Sequence, residues 1–231
     1  MALQLFIGNK NYSSWSMRPW VLLRQAGIAF EEVRVRFDSF DPDSQFKARL
    51  KQVSPVGKVP VLVDDGFPVW DTLAIAEYLA ERFPDRHLWP ADPKARARAR
   101  SVCAEMHSGF SALRSHCPMN IEATLHDMGR IIWRDQAGVR ADMARISGLW
   151  SELLAAQPPG SLLFGAFTIA DAYFAPVCMR IRTYGLPVAA DLQAYVDRVA
   201  TLPGVKAWID DALAEHDFIP FDEPYRLGPT P

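Results

Sequence analysis

Residues 54–79 read SPVGKVPVLVDDGFPVWDTLAIAEYL, and their pattern predicts two strands and a helix in direct succession. The β-branched run at 59–63 predicts the first strand, and residues 67–70 predict the second. Between them stands Asp65-Gly66, a dipeptide typical of the tight turn of a β-hairpin. Apolar residues at helical spacing over 73–83 then predict a helix. A hairpin followed at once by a helix indicates an α/β domain.

The residues before this stretch predict two further strands and two helices. Apolar and polar residues alternate over 3–7, and a polar loop from Gly8 to Ser14 follows this first strand. Ser16 is the expected N-cap of the next helix, and Gly27 is its expected stop signal. A second alternating strand is predicted over 32–37, and a short helix follows it.

The chain is predicted to form two domains. The element order βαβαββα fills residues 1–84, and the proline-rich residues 85–93 are predicted to be a linker. Residues 94–231 predict an all-helical domain that ends in an extended, proline-rich tail. Its first helix is expected to run without a break from Ala95 to Leu113. The other helices are expected over 122–135, 139–156, 168–183, 191–201 and 204–215.

The composition is that of an ordinary globular protein. The 231 residues are 49% hydrophobic and 23% charged. The 25 basic and 27 acidic residues leave a net charge of −2, so no basic field attracts nucleic acid or anionic lipid. Three cysteines without CxxC spacing favour a reducing compartment, and the N-terminus lacks the basic start of a signal peptide. We therefore expect a cytoplasmic protein that has neither nucleic acid nor a membrane as a partner.

One apolar stretch, from Leu162 to Met179, has the length of a membrane span. It contains Asp171, and a charge at mid-membrane would cost at least ~2.5 kcal/mol, so we expect a buried core helix instead. Thr168 and Asp171 have the spacing of a capping box at the start of that helix. We assign this pair to folding rather than to catalysis.

Three motifs in this order resemble those of the cytosolic glutathione transferases. They are NYSSWSMRP at 11–19, SPVGKVPVL at 54–62 with DTLAIAEYL at 71–79, and FGAFTIAD at 164–171 with LPGVKAW at 202–208. The resemblance covers residues 3 to 215 and implies a thioredoxin-like N-terminal domain followed by a helical bundle. The first motif is most similar to that of the serine-type zeta class, which reads Ser-Ser-Cys-Ser-x-Arg.

The zeta-like motif implies that Ser13 is the catalytic serine and that Ser14 is the second candidate. Both precede a helix, where free N–H groups and the positive helix end favour an anion such as the glutathione thiolate. A helix N-cap alone is the alternative explanation of a serine here. Trp15 stands where the zeta class has cysteine, which weakens an assignment as a maleylacetoacetate isomerase. Tyr12 is a further alternative, because other classes use a tyrosine hydroxyl in this region.

The second motif implies the residues that bind glutathione. Val59 and Pro60 resemble the family's cis-proline step, in which the valine backbone pairs with the cysteinyl part of glutathione. Asp71 and Thr72 replace the commoner Glu-Ser at the next helix start and would receive the γ-glutamyl carboxylate, although a plain helix cap fits both residues too. Lys58 would pair with the glycyl carboxylate, and an exposed lysine without a partner is the alternative.

The second substrate is expected in the cleft between the domains. Its predicted contacts are Trp15, Met106, His107 and Phe110, all of which core packing would also explain. The predicted function is attack of a glutathione thiolate on an apolar electrophile, as in detoxification, by a homodimer without metal. A glutathione-dependent isomerase of the maleylacetoacetate type, a peroxidase or thiol transferase, and a binding protein without turnover stay open.

Two other sites are disfavoured by the same sequence. Cys103, His107, His116 and Cys117 match no compact zinc motif. The basic residues between Lys94 and Arg100 alternate around their helix, which indicates a solvated surface rather than a phosphate site.

Overall fold

The computed structural model describes residues 3–228 and contains a four-stranded sheet followed by helices. The strands are β1 (Leu3–Ile7), β2 (Phe30–Arg34), β3 (Val61–Asp64) and β4 (Phe67–Trp70). The helices beside them are α1 (Ser14–Gln25), α2 (Gln45–Lys51) and α3 (Thr72–Arg82). The later helices are α4 (Pro93–Ser108), α5 (Ser111–His116), α6 (His126–Asp135), α7 (Ala137–Ala155), α8 (Ile169–Tyr184), α9 (Ala190–Thr201) and α10 (Pro203–Ala214).

The sheet has the order β2-β1-β3-β4. β1 pairs with β2 in parallel and with β3 antiparallel, and β3 pairs antiparallel with β4. Leu5 lies opposite Leu62 in the centre, and both side chains are fully buried. The predicted order βαβαββα is thus confirmed, and helices follow it. The exact domain boundaries stay a prediction, and residues 1–2 and 229–231 of those domains lie outside the described residues.

The second strand ends earlier than expected. Alternation predicted a strand over 32–37, but β2 stops at Arg34 because its partner β1 ends at Ile7. The backbone N–H of Phe37 donates instead to the side chain of Asn9, at 2.8 Å. Phe37 therefore packs in a small second core rather than continuing the sheet.

The start of α1 also differs from the prediction. Ser13, not Ser16, is the N-cap residue, and Ser16 is buried in the first turn. Ser16 Oγ accepts a hydrogen bond from the Gly8 N–H at 3.1 Å, so its side chain ties the helix to the end of β1. Pro19 lies inside the helix.

The expected continuous helix over 95–113 is broken. α4 ends at Ser108, and Phe110 adopts a left-handed conformation with φ of +56° before α5 begins. A Cβ on Gly109 would lie 2.8 Å from the Glu105 carbonyl oxygen, so only glycine fits this turn. The break turns the Phe110 ring into the core.

The apolar stretch that begins at Leu162 is helical only from Ile169, where α8 starts, and residues 162–168 form a loop with two isolated β-bridges. Nearly every residue of α8 is buried, as expected of a core helix. Thr168 and Asp171 make the expected capping box. Within residues 3–228, no helix is both long and apolar enough to cross a membrane.

Candidate active site

The loop between β1 and α1 is held from several directions. The carbonyl of Asn9 accepts from the Ser13 N–H at 2.8 Å. The buried Lys10 ammonium lies 2.7 Å from Glu32 and 2.5 Å from Asp211. Glu32 belongs to β2 and Asp211 belongs to α10, so Lys10 anchors the loop to both halves of the chain, three residues before Ser13.

Ser13 does not use its side chain to cap the helix backbone. Its Oγ lies 2.7 Å from Ser16 Oγ, which also accepts from the Gly8 N–H. The Ser13 hydroxyl is therefore part of a short polar chain at the helix N-terminus. This geometry differs from that of a plain N-cap, which would bond to an N–H of the first turn.

Ser14 has a different neighbour, the guanidinium of Arg180. Arg180 Nη2 donates to Ser14 Oγ at 3.3 Å, and its Nε donates to the Cys117 carbonyl at 2.8 Å. The residue is almost completely buried on α8, and desolvation lowers its pKa to about 10.

Arg18 is a second buried cation at the same place. Its guanidinium lies 4.3 Å from the Trp15 ring and 4.9 Å from the Tyr173 ring. Neither its Nε nor its Nη1 has a hydrogen-bond partner among residues 3–228, and burial lowers its pKa to about 10. The guanidinium of Arg114 lies 5.4 Å from the centre of the Trp15 ring. We name Arg18, Arg114 and Arg180 the arginine cluster; it gives this region a positive potential.

A first cavity, of about 390 Å³, lies beside Trp15. The Val59–Pro60 peptide bond on its wall is cis, as the resemblance implies. Seven of the predicted site residues line this cavity: Trp15, Lys58, Val59, Pro60, Asp71, Thr72 and His107.

Asp71 has an unusual backbone conformation in this cavity, with φ of +71°. One carboxylate oxygen accepts from the Leu73 N–H at 2.8 Å, and the other lies 3.2 Å from Nε2 of His107. Thr72 Oγ1 is 3.5 Å from Nδ1 of the same ring. Positive φ at a non-glycine residue is costly and is found at binding sites, where the surrounding structure holds it.

Burial lowers the pKa of His107, and the nearby arginines act in the same direction against Asp71. The ring also packs edge-on against Trp15, with ring centres 5.2 Å apart. His107 therefore joins α4 to the start of α3 across the cavity.

Two predicted substrate contacts lie elsewhere. Met106 and Phe110 are both buried in the main core, and neither lines this cavity or the one beside it. Their predicted contact with substrate finds no support in this geometry. The break after α4 explains Phe110, because it turns the ring inward.

A second cavity, of about 450 Å³, opens directly over the two serines. Its lining comprises Tyr12, Ser13, Ser14, Trp15, Phe37, Phe40, Phe46, Lys47, Lys58, Val59 and Asp222. It shares Trp15, Lys58 and Val59 with the first cavity, so the two adjoin. Sequence reasoning missed the phenylalanines, Lys47 and Asp222, because none of them belongs to the motifs that indicated the site.

Tyr12 has a structural partner of its own. Its hydroxyl donates to Glu223 at 2.7 Å and accepts from the Ile219 N–H at 3.2 Å. Burial and the Glu223 carboxylate raise the pKa of Tyr12 to about 12. The hydroxyl of Tyr12 is thus engaged by Glu223 and Ile219, which favours the two serines over Tyr12 as partners of a sulfur atom.

The cysteines are all buried, and burial raises the pKa of each thiol. Among the described residues there is no group of three or more His, Cys, Asp or Glu that would hold a metal ion.

Comparison with protein-family models matches both halves of the chain. Residues 12–82 match the glutathione S-transferase N-terminal domain, and residues 93–211 match the glutathione S-transferase C-terminal domain. The chain belongs to the glutathione S-transferase family. The predicted thioredoxin-like domain and the helical domain after it are thereby confirmed, and so is the assignment to glutathione-using enzymes.

Similar proteins include enzymes and glutathione-bound structures. The chain is 31% identical over 208 residues to a probable maleylacetoacetate isomerase of Caenorhabditis elegans, covering 86% of this chain and 90% of that protein. A glutathione transferase homologue from Burkholderia, with bound glutathione, is 26% identical with a TM-score of 0.67 and coverages of 92% and 98%. A sphingomonad glutathione S-transferase complexed with glutathione is 27% identical, with a TM-score of 0.64 and coverages of 90% and 98%.

Proposed function

We propose that this protein is a glutathione transferase in which Ser13 stabilises the thiolate of bound glutathione, with Ser14 in support. The observation that carries the proposal is the meeting of two cavities at the start of α1, beside the cis Val59–Pro60 bond. The Ser13 hydroxyl donates to Ser16 Oγ, which also accepts from the Gly8 N–H. We expect the Ser13 hydroxyl to rotate from Ser16 to the sulfur atom when glutathione binds.

The energies involved are of the right size. A thiol such as that of glutathione has a pKa near ~8.5, and lowering it by ~2 units takes about 2.7 kcal/mol. One hydrogen bond to a charged group contributes about 1.5–3 kcal/mol, and a helix end contributes about 0.5–1 kcal/mol. The arginine cluster adds positive charge on the protein side of Ser14 and Trp15.

The first cavity fits the rest of the tripeptide. Val59 would pair with the cysteinyl backbone and Pro60 would hold that strand edge in place. The γ-glutamyl end would bind at Asp71 and Thr72, where α3 begins, because a helix N-terminus receives carboxylates. Lys58, which is exposed at the junction of the cavities, would pair with the glycyl carboxylate. Holding the sulfur near its target then adds to the rate.

An isomerase activity on the same site is the second candidate, because a relative carries the name probable maleylacetoacetate isomerase. Trp15 in place of the zeta-class cysteine favours conjugation. Stoichiometry separates the two: conjugation consumes glutathione, whereas isomerisation returns it unchanged.

We further propose a cytoplasmic homodimer that acts on small electrophiles, as in detoxification. Support for the dimer comes from β4, the edge strand of the sheet, on which the Phe67 side chain is 64% exposed. An exposed aromatic residue on an edge strand favours a surface that a partner covers.

The thiolate absorbance of bound glutathione, measured against pH, tests the proposed role of Ser13. In the wild type we expect a thiol pKa well below that of free glutathione, and in Ser13→Ala we expect it to rise by about one to two units. A bound thiol with an unshifted pKa would indicate a binding protein instead. An equally low pKa in Ser13→Ala would transfer the role to Ser14.

A further inference from the structure

The chain after α10 returns to the loop between β1 and α1, which carries Ser13. We name residues 217–226 the C-terminal strap. Asp217 at its start accepts two hydrogen bonds of 2.7 Å from Arg36, just beyond β2. Ile219 is buried in the second core, with Tyr12 and Phe37. The strap is therefore packed against the loop that carries the serines.

A buried carboxylate holds the strap in this position. The side chain of Glu223 is 1% exposed, and it accepts from the Tyr12 hydroxyl at 2.7 Å and from Asn120 Nδ2 at 2.9 Å. Arg226 forms an ion pair with the same carboxylate. A buried charge whose oxygens are all matched by donors stabilises one arrangement, since any other would leave it unpaired.

The strap packs against the aromatic wall of the second cavity, which Phe37, Phe40 and Phe46 form. Phe40, in the loop before α2, packs edge to face against Phe37, Phe46 and Phe221, with ring centres 5.1–6.1 Å apart. Phe221 belongs to the strap, and the next residue, Asp222, lines the cavity itself. The side chains of Phe40 and Phe221 are 50% and 48% exposed. About half of the surface of these two rings is therefore accessible to a ligand.

Apart from the two serines, the residues proposed to bind glutathione line the first cavity. The second cavity has Lys47, Lys58 and Asp222 in its lining, but only this cavity is lined by phenylalanine rings, which offer nothing to a carboxylate or an amide. A ring of the second substrate would instead find edges and faces for aromatic contacts. The shared residues Trp15 and Val59 place this wall next to the position proposed for the sulfur.

We infer that the second cavity is the subsite of the electrophile and that Phe40, supported by Phe221 of the strap, selects electrophiles that carry an aromatic ring. This inference rests on the proposed function, because the ring would be attached to the carbon that the thiolate attacks. It places the substrate over Phe40 rather than beside Met106 and Phe110.

The test uses stable conjugates rather than turnover. Dissociation constants are measured by titration calorimetry for glutathione, S-methylglutathione, S-propylglutathione and S-benzylglutathione. We expect the wild type to bind the benzyl conjugate more tightly than the propyl conjugate. In Phe40→Ala and in Phe221→Ala, this preference should fall by about fivefold, the equivalent of one aromatic contact. Affinity for glutathione and its S-methyl derivative should stay unchanged.

Leu227→Ala is the matched control, because Leu227 follows the strap and its side chain is fully exposed. It should leave every constant unchanged. Phe40 and Phe221 are half-exposed, so their variants are expected to fold, and thermal unfolding checks this.

The outcomes separate the inference from the proposed function. Wild-type protein that binds glutathione but shows no benzyl preference would overturn the inference alone. A benzyl preference that survives both phenylalanine substitutions would also overturn it. A preference that is lost in Phe40→Ala but kept in Phe221→Ala would overturn the proposed role of the strap. Wild-type protein that binds none of the four compounds would overturn the proposed function together with the inference.

Discussion

Ser13 and Ser14 are adjacent at the start of α1, yet the groups around them differ. Ser13 faces Ser16, whose hydroxyl is supported by a backbone amide, whereas Ser14 faces the buried guanidinium of Arg180. Arg180 has no carboxylate partner among the described residues, and its other hydrogen bonds go to carbonyl oxygens. An uncompensated buried charge is costly, which favours a role toward an anion that arrives with the ligand.

Replacing Arg180 by methionine removes that charge while keeping much of the side-chain volume. We expect the pKa of the bound glutathione thiol to rise by about one unit, because each unit corresponds to about 1.36 kcal/mol of differential stabilisation. The pH dependence of thiolate absorbance measures it. A purely structural role would lower stability and leave this pKa where it is.

Arg182→Met provides the control for this experiment. Arg182 is exposed two residues further along α8, so the same change there removes a charge without touching Ser14. Equal pKa shifts in the two variants would show that only the net charge matters.

At the scale of an element, one buried carboxylate in the first turn of α8 holds the start of that helix in place. Asp171 accepts from the Thr168 N–H at 2.9 Å, from the Leu163 N–H at 3.2 Å and from the Tyr195 hydroxyl at 3.1 Å. The carboxylate thus joins the start of α8 to the loop before it and to α9. All of these groups are buried, so each donor depends on this one acceptor.

Asp171→Ala is expected to lower the free energy of unfolding by at least about 3 kcal/mol, because each unsatisfied buried donor costs about 1–3 kcal/mol. Urea denaturation measures the loss. Glutathione affinity of the folded fraction should stay within about twofold of the wild type, since that is within ~0.4 kcal/mol.

The exposed Asp191 in the first turn of α9 is the matched control. Its replacement by alanine should change stability by less than about 0.5 kcal/mol. A normally stable Asp171→Ala protein that binds no glutathione would show that the assignment of this residue to folding is wrong.

At the scale of the whole molecule, α1 connects the two halves. It packs against α3 beside the sheet and against both α8 and α10 of the helical part. Gly204 at the start of α10 donates its N–H to Gln25, and Trp208 donates to the Lys10 carbonyl. Contacts from α10, near the end of the chain, therefore hold both α1 and the loop that carries the serines.

The proposed homodimer is a prediction at this scale. Light scattering is expected to give a particle of about twice the 25.9 kDa of the chain. Phe67→Glu should shift it toward the monomer, because a charge would be buried without a partner at the β4 edge. Leu213→Glu, a change at another exposed apolar residue on α10, should have no such effect. A wild-type particle of 26 kDa would contradict the proposal.

Local patterns were enough to predict the hairpin, the helix that follows it and the capping box at Thr168, although the first hairpin strand was expected over 59–63 and β3 runs over Val61–Asp64. Each depends on residues close together in the chain, whose spacing the backbone geometry dictates. The same patterns could not predict where β2 ends or where α4 breaks. β2 ends where β1 no longer offers a partner, and α4 breaks at a glycine whose neighbour turns into the core.

The sequence alone determined the family, the order of the elements and most residues of the first cavity, because those residues occupy two short motifs. Only the tertiary structure decided the rest of the site. Arg180 reaches Ser14 across 166 positions, and Glu223 reaches Tyr12 across 211. No periodicity links residues so far apart; packing of α8 and of the C-terminal strap against one loop brings them together, and it left Met106 and Phe110 in the core.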